Sequence, residues 1–192
     1  MANADTPFGL RPVKYISGAP YNGAVNTYSA LASDGTAIFV GDPVKLSGTA
    51  QTIGGYIYRD VDQAATGDKI VGVVVAVVHE TQDSLIYRAA STTRRLLVAD
   101  DPDLLFEIQE VSGGTALTAA AISLNADFVV ATGSTTTGMS GVELDNGTEA
   151  TTNTLDLQIV DVVNRDDNAI GEHCKYLVRI NRHQYANQVA GI

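Results

Sequence analysis

The 192-residue chain has no tryptophan, one cysteine (Cys174), two methionines, and 12 lysines and arginines against 22 aspartates and glutamates. A single cysteine excludes an intrachain disulfide framework and a four-thiolate metal site. The deficit of cations gives a formal net charge of −10 and a sequence pI near 4.5. That balance argues against a general nucleic-acid binder, which needs a cationic footprint for the phosphates. It argues equally against an anionic membrane surface as the main partner. The longest apolar run, Ile70 to Val78, falls well short of the roughly 18 residues of a transmembrane helix. Met1 to Asp5 has neither the basic start nor the apolar run of a secretory signal, so a soluble protein is expected.

Motifs of common chemistry are also missing. Gly67-Asp68-Lys69-Ile70 has the lysine of a phosphate loop but lacks its upstream glycine, hydroxyl and helix. Gly138-Met139-Ser140-Gly141 lacks the spacing of a nucleophile elbow and sits in loop-like sequence. His173-Cys174 beside Glu172 offers the ligand types zinc prefers, but adjacent strand residues point to opposite faces. Cys174 therefore reads as a small buried hydrophobe. Asp100-Asp101-Pro102-Asp103 and Asp166-Asp167-Asn168 lack the ligand spacing of a calcium loop and read as solvated turns. Asn146-Gly147-Thr148 reads as a turn. No catalytic residue, cofactor or metal is expected from these patterns.

What is present is a chain able to bury one core. Hydrophobic residues are 45% and charged ones 18%, the latter below the roughly 25% of a typical soluble domain. Charge is unevenly spread. Residues 1–50 and 161–192 are each neutral, whereas 51–110 and 111–160 carry −5 apiece. Neutral ends facing a partner and an acidic middle facing water is one reading; chance surface composition is the other.

Residues 1–34 contain Pro7, Gly9, Pro12, Gly18, Pro20 and Gly23 among Phe8, Leu10, Val13, Tyr15, Ile16 and Tyr21. So many breakers exclude a helix or a central strand, and so many apolar residues exclude a solvated linker. An extended arm with apolar anchors is expected, reaching a neighbouring subunit or folding back over its own sheet. From residue 35 to 185 the pattern is β, with a short tail over 186–192. Short strands are predicted at Ile38–Val40, Val44–Leu46, Tyr56–Tyr58, Ile70–Val78, Leu85–Tyr87, Leu96–Val98, Leu104–Ile108 and Phe128–Val130. Leu155, Leu157 and Ile159 alternate with polar residues before the phase slips at Val160 and Val162, and Tyr176, Val178 and Ile180 alternate in turn. These two strands should form a hairpin closed by Arg165–Gly171. One short helix is placed within Leu117–Leu124, capped by Thr118. The expected fold is mainly β, a barrel or sandwich of short strands with one short helix and an extended N-terminal arm.

Pro7-Phe8-Gly9-Leu10-Arg11-Pro12-Val13, Gly18-Ala19-Pro20-Tyr21-Asn22-Gly23, the stretch Asp34 to Val44, Asn168-Ala169-Ile170-Gly171 and Leu177 to Gln184 resemble the capsid cement (head-decoration) proteins of tailed bacteriophages. The resemblance spans most of the chain and is weakest over 110–155. It implies a structural virion protein, made in the host cytoplasm, that sits on the outer surface of the expanded capsid. There it would clamp neighbouring major capsid subunits, commonly as a homotrimer. It places shell contacts on Phe8, Leu10, Arg11 and Tyr21, and more weakly on Arg182, His183 and Tyr185. An alternative of a different class is a carbohydrate- or receptor-binding β-module displayed on a virion or cell.

Overall fold

A computed structural model describes residues 3–192. Among the described residues twelve strands run in chain order: β1 (Arg11–Tyr15), β2 (Asn26–Ala30), β3 (Pro43–Ile53), β4 (Tyr56–Gln63), β5 (Gly72–Val77), β6 (Arg94–Ala99), β7 (Leu104–Gln109), β8 (Asn125–Ala126), β9 (Phe128–Val129), β10 (Glu143–Leu144), β11 (Leu157–Val162) and β12 (Lys175–Ile180). The fold is mainly β, as the alternation of apolar residues predicted. Strands β2-β4-β3-β5-β6 close into a barrel, and β1-β7-β12-β11-β8 form an open five-stranded sheet. Strands β9 and β10 make a separate ladder.

Two apolar cores follow from this division. Tyr28, Ile38, Val44, Val61, Val74, Leu96 and Val98 form one cluster built largely from barrel strands. Leu10, Ile70, Val73, Phe106, Phe128, Ile159, Tyr176 and Val178 belong to the larger one, which joins the open sheet to β5. Burying β5 against both clusters explains why its sequence is continuous rather than alternating. Gly72 is required there because a Cβ would lie 2.4 Å from the Ala99 carbonyl oxygen. The β11–β12 hairpin forms as expected, and its register shifts between Ile159 and Asp161, where the apolar phase slips in the sequence. Cys174 is fully buried.

Several local expectations are corrected. Ile38–Val40 forms only isolated bridges, Ile38 with Arg88 and Val40 with Met139. Leu85–Tyr87 is irregular, with Leu85 and Ile86 well exposed. The helix shrinks to a single 3-10 turn, Ala119–Ala121, whose N-cap is Thr118 as predicted. The segment 1–34, where described, is extended in backbone but bound to its own chain. Strand β1 pairs antiparallel with β7, and β2 pairs with β6 to close the barrel. The β domain therefore takes in strands from before residue 35. The tail is tied down too, by hydrogen bonds from Val189 N–H to Asn181 and from Gly191 N–H to the Thr151 carbonyl.

Candidate functional site

The N-terminal segment reaches the body at a pair of glycines. Leu10 N–H donates to the Gly41 carbonyl at 2.9 Å. Both Gly9 (φ +71°) and Gly41 (φ +97°) are left-handed, and a Cβ on Gly41 would stand 2.3 Å from the Phe8 carbonyl oxygen. Only residues without a Cβ allow this approach. Gly41 belongs to the Gly41-Asp42-Pro43 turn, itself fixed by Gly41 N–H to Val74 C=O at 2.7 Å and Val74 N–H to Asp42 C=O at 2.9 Å. The turn thus seats residues 8–10 against β5.

Beyond this seat the chain enters β1, where Arg11 opposes Glu107. The Arg11 guanidinium donates to the Glu107 carboxylate at 2.6 Å and lies 4.8 Å from the Phe8 ring centroid. Arg165 approaches the other oxygen of Glu107 at 3.2 Å. Tyr21 returns alongside, its N–H bonded to the Val13 carbonyl at 3.0 Å and its hydroxyl to the Ala24 carbonyl at 3.1 Å.

Phe8, Leu10, Arg11 and Tyr21, the four residues marked in the sequence, thereby line one groove of about 250 Å³. Val74 and Met139 are among the residues that complete it. The groove lies at the seam between the barrel and the open sheet, and apolar side chains dominate its walls. Leu10 is its floor: it is 1% exposed and packed in the larger core. That burial narrows its expected role as a direct contact to shaping the groove's floor, since its side chain is almost wholly engaged in the core. Phe8 and Tyr21 are half-buried and Arg11 is exposed.

The three C-terminal residues lie outside this groove. Arg182 donates to the Thr154 carbonyl at 2.8 Å and sits 3.6 Å from the buried Asp156. His183 is 3% exposed, and its backbone bridges Ile70. Burial holds its imidazole below the ordinary value, and its Nδ1 accepts from Tyr185 N–H at 3.1 Å. His183 is thus a structural strap, unable to reach a partner directly. Tyr185 is about half exposed, and its hydroxyl accepts from Arg59. The Arg59 guanidinium also stacks 4.6 Å from the Tyr28 centroid, and the Tyr28 hydroxyl donates to Asp100 at 2.7 Å. Tyr185 is the most exposed member of the C-terminal set.

Sequence reading missed two features. Arg88 is fully buried and serves the Asp34 carboxylate at 2.9 Å and the carbonyls of Leu31, Asp34, Thr36 and Thr92. Its partners lie more than fifty positions upstream or in the adjoining loop, so no local spacing signals it. The tip of the β3–β4 hairpin exposes Tyr56 and Ile57 at 71% and 78%. Gly54-Gly55 in the sequence marks the turn there, but nothing local marks the exposure. Among the described residues, no helix is long and apolar enough to cross a membrane. No protein-family model matches the chain, and neither a curated protein nor a solved structure shows significant similarity to it.

Proposed function

We propose that this protein is a structural clamp of the capsid-cement type, binding the outer surface of an expanded phage head through the groove at the barrel–sheet seam. The observation that carries the reading is the convergence of Phe8, Arg11 and Tyr21 on one apolar groove floored by Leu10. These positions match the arm pattern through which the sequence resembles head-decoration proteins. The glycine seat keeps the groove preformed, which reduces the ordering cost of binding. A modest contact of this size is weak alone. Presented several times on an oligomer, a trimer being the favoured state, it gains effective concentration and releases slowly. Binding that favours the expanded shell over its precursor then stabilises the expanded shell by mass action.

The test is co-sedimentation of the purified chain with expanded, undecorated shells of the parent phage, counted as copies per major capsid subunit. Saturation at a fixed symmetric ratio, with Phe8→Ala and Tyr21→Ala each weakening binding about tenfold or more while remaining folded, supports the clamp. Background pelleting of folded protein refutes it and directs attention to glycan and receptor screens. Deleting the first 24 residues would not serve as the test, because it removes Leu10 and β1 from the core.

A further inference from the structure

Four chemically distinctive side chains from separate parts of the sequence meet beside the N-terminal segment. One ligand atom from each of Asp5, Glu143 and His173 lies within 4.8 Å of the other two, with Asp5 Oδ1 and His173 Nδ1 3.6 Å apart. Behind them Gln109, with no exposed surface, aims its amide nitrogen at all three, at 3.1, 3.0 and 3.4 Å respectively. That amide has two hydrogens. Those two donors face two carboxylate oxygens and an imidazole nitrogen whose role depends on its tautomer. The cluster is therefore rich in oxygen and nitrogen lone pairs.

Its members are carried by separate parts of the fold. Asn3 anchors the start of the chain by donating to the carbonyls of Ala169 and Glu172 and accepting from Ala169 N–H. Thr6 N–H donates to Gln109 Oε1 at 3.1 Å, so Asp5 is fixed from both sides. Glu143 is carried by β10 and Gln109 by β7. His173 sits on the turn before β12, closed by Cys174 N–H to Gly171 C=O at 3.0 Å.

We propose that Asp5, Glu143 and His173 bind one divalent first-row transition cation, with water completing its shell and Gln109 orienting the carboxylates from behind. One imidazole and two carboxylates suit Zn²⁺ or Mn²⁺, whereas Ca²⁺ and Mg²⁺ prefer oxygen-only sets. Ligand bonds of about 2.1 Å in a tetrahedral site place ligand atoms about 3.4 Å apart. Asp5 and His173 are already near that spacing, and the widest pair has at most about 1.4 Å to close, within reach of side-chain torsions. The hydrogen bond from Gln109 to each carboxylate is the kind of outer support that metal-binding carboxylates receive. A bound ion would cross-link the chain start to β10 and to the turn before β12. The site stands on these side chains alone, whether or not the clamp reading holds.

Zn²⁺ titration of the untagged, chelator-stripped full chain tests it, by calorimetry and by thermal unfolding. The expected result is one saturable site, a Tm that rises with Zn²⁺ concentration, and a Zn²⁺-dependent shift of one of three histidine ring signals by NMR. Asp5→Asn and His173→Gln should each weaken binding about tenfold or more. Asp101→Asn, in the exposed acidic turn, should leave it unchanged. Asp5 is exposed, so its variant keeps the test interpretable if His173→Gln misfolds. Absence of saturable binding overturns the proposal, as does equal affinity in Asp5→Asn or a loss of affinity in Asp101→Asn.

Discussion

Asp42 offers a direct test of how the groove's seat is built. Its side chain is fully buried beneath the turn that receives the N-terminal segment. One carboxylate oxygen accepts from Phe39 N–H at 2.8 Å and from Gln63 Nε2 at 2.9 Å; the other has no hydrogen-bond partner. Burial outweighs these bonds and pushes the carboxyl from 3.8 up to about 6. Because the folded value lies above the unfolded one, the native state holds the extra proton between those limits. Stability from this group is therefore complete below about pH 4 and lost as pH rises through 6. At about 1.4 kcal/mol per unit, the loss is on the order of 3 kcal/mol. Asp42→Asn retains an acceptor for Phe39 and Gln63 and removes the titration. Any fixed cost of the buried amide is the same at every pH, so the informative quantity is the difference between the two proteins. Urea unfolding at a series of pH values from about 4 to about 7.5 should show the wild type losing up to about 3 kcal/mol relative to the variant. A difference constant across that range refutes the argument and means the carboxyl titrates normally.

Other substitutions separate fold from surface. Leu10→Ala should cost about 3 kcal/mol in urea unfolding, because Leu10 packs in the core, whereas Ile16→Ala, at a half-exposed site, should change stability by less than about 0.5 kcal/mol. Gly41→Ala should unseat residues 8–10, since its φ is +97° and its Cβ meets Phe8 C=O; amide exchange at Leu10 should accelerate while β12 stays protected. Arg88→Met should cost about 3 kcal/mol or more, because it leaves Asp34 and several carbonyls without their shared donor. A much smaller loss would mean that water replaces the guanidinium.

The sequence by itself determined the elements whose information is local. Alternation in Leu157–Ile159 and Tyr176–Ile180 specified the hairpin and even its phase slip, because a period of two assigns each side chain to a face. Thr118 marked a helical start because its hydroxyl caps the backbone two residues on, although only one turn forms after it. Phe8, Leu10, Arg11 and Tyr21 stood out as a set only through the resemblance to head-decoration proteins, while the composition of the segment said that its apolar residues, set among prolines and glycines, need something to cover them. Tertiary structure alone decided what covers them. Ile38–Val40 and Leu85–Tyr87 have strand composition, yet neither finds a continuous ladder, since pairing depends on which edges are free in space. Whether the described part of the N-terminal segment, residues 3–34, leaves the body or lies on it turned on the open edge of β7 and the gap between β2's neighbours in the barrel. The buried Arg88 and the meeting of Asp5, Gln109, Glu143 and His173 were equally invisible. Their partners are separated by tens of residues to more than a hundred and sixty, and no one-dimensional spacing records a proximity that arises only when two sheets close on each other.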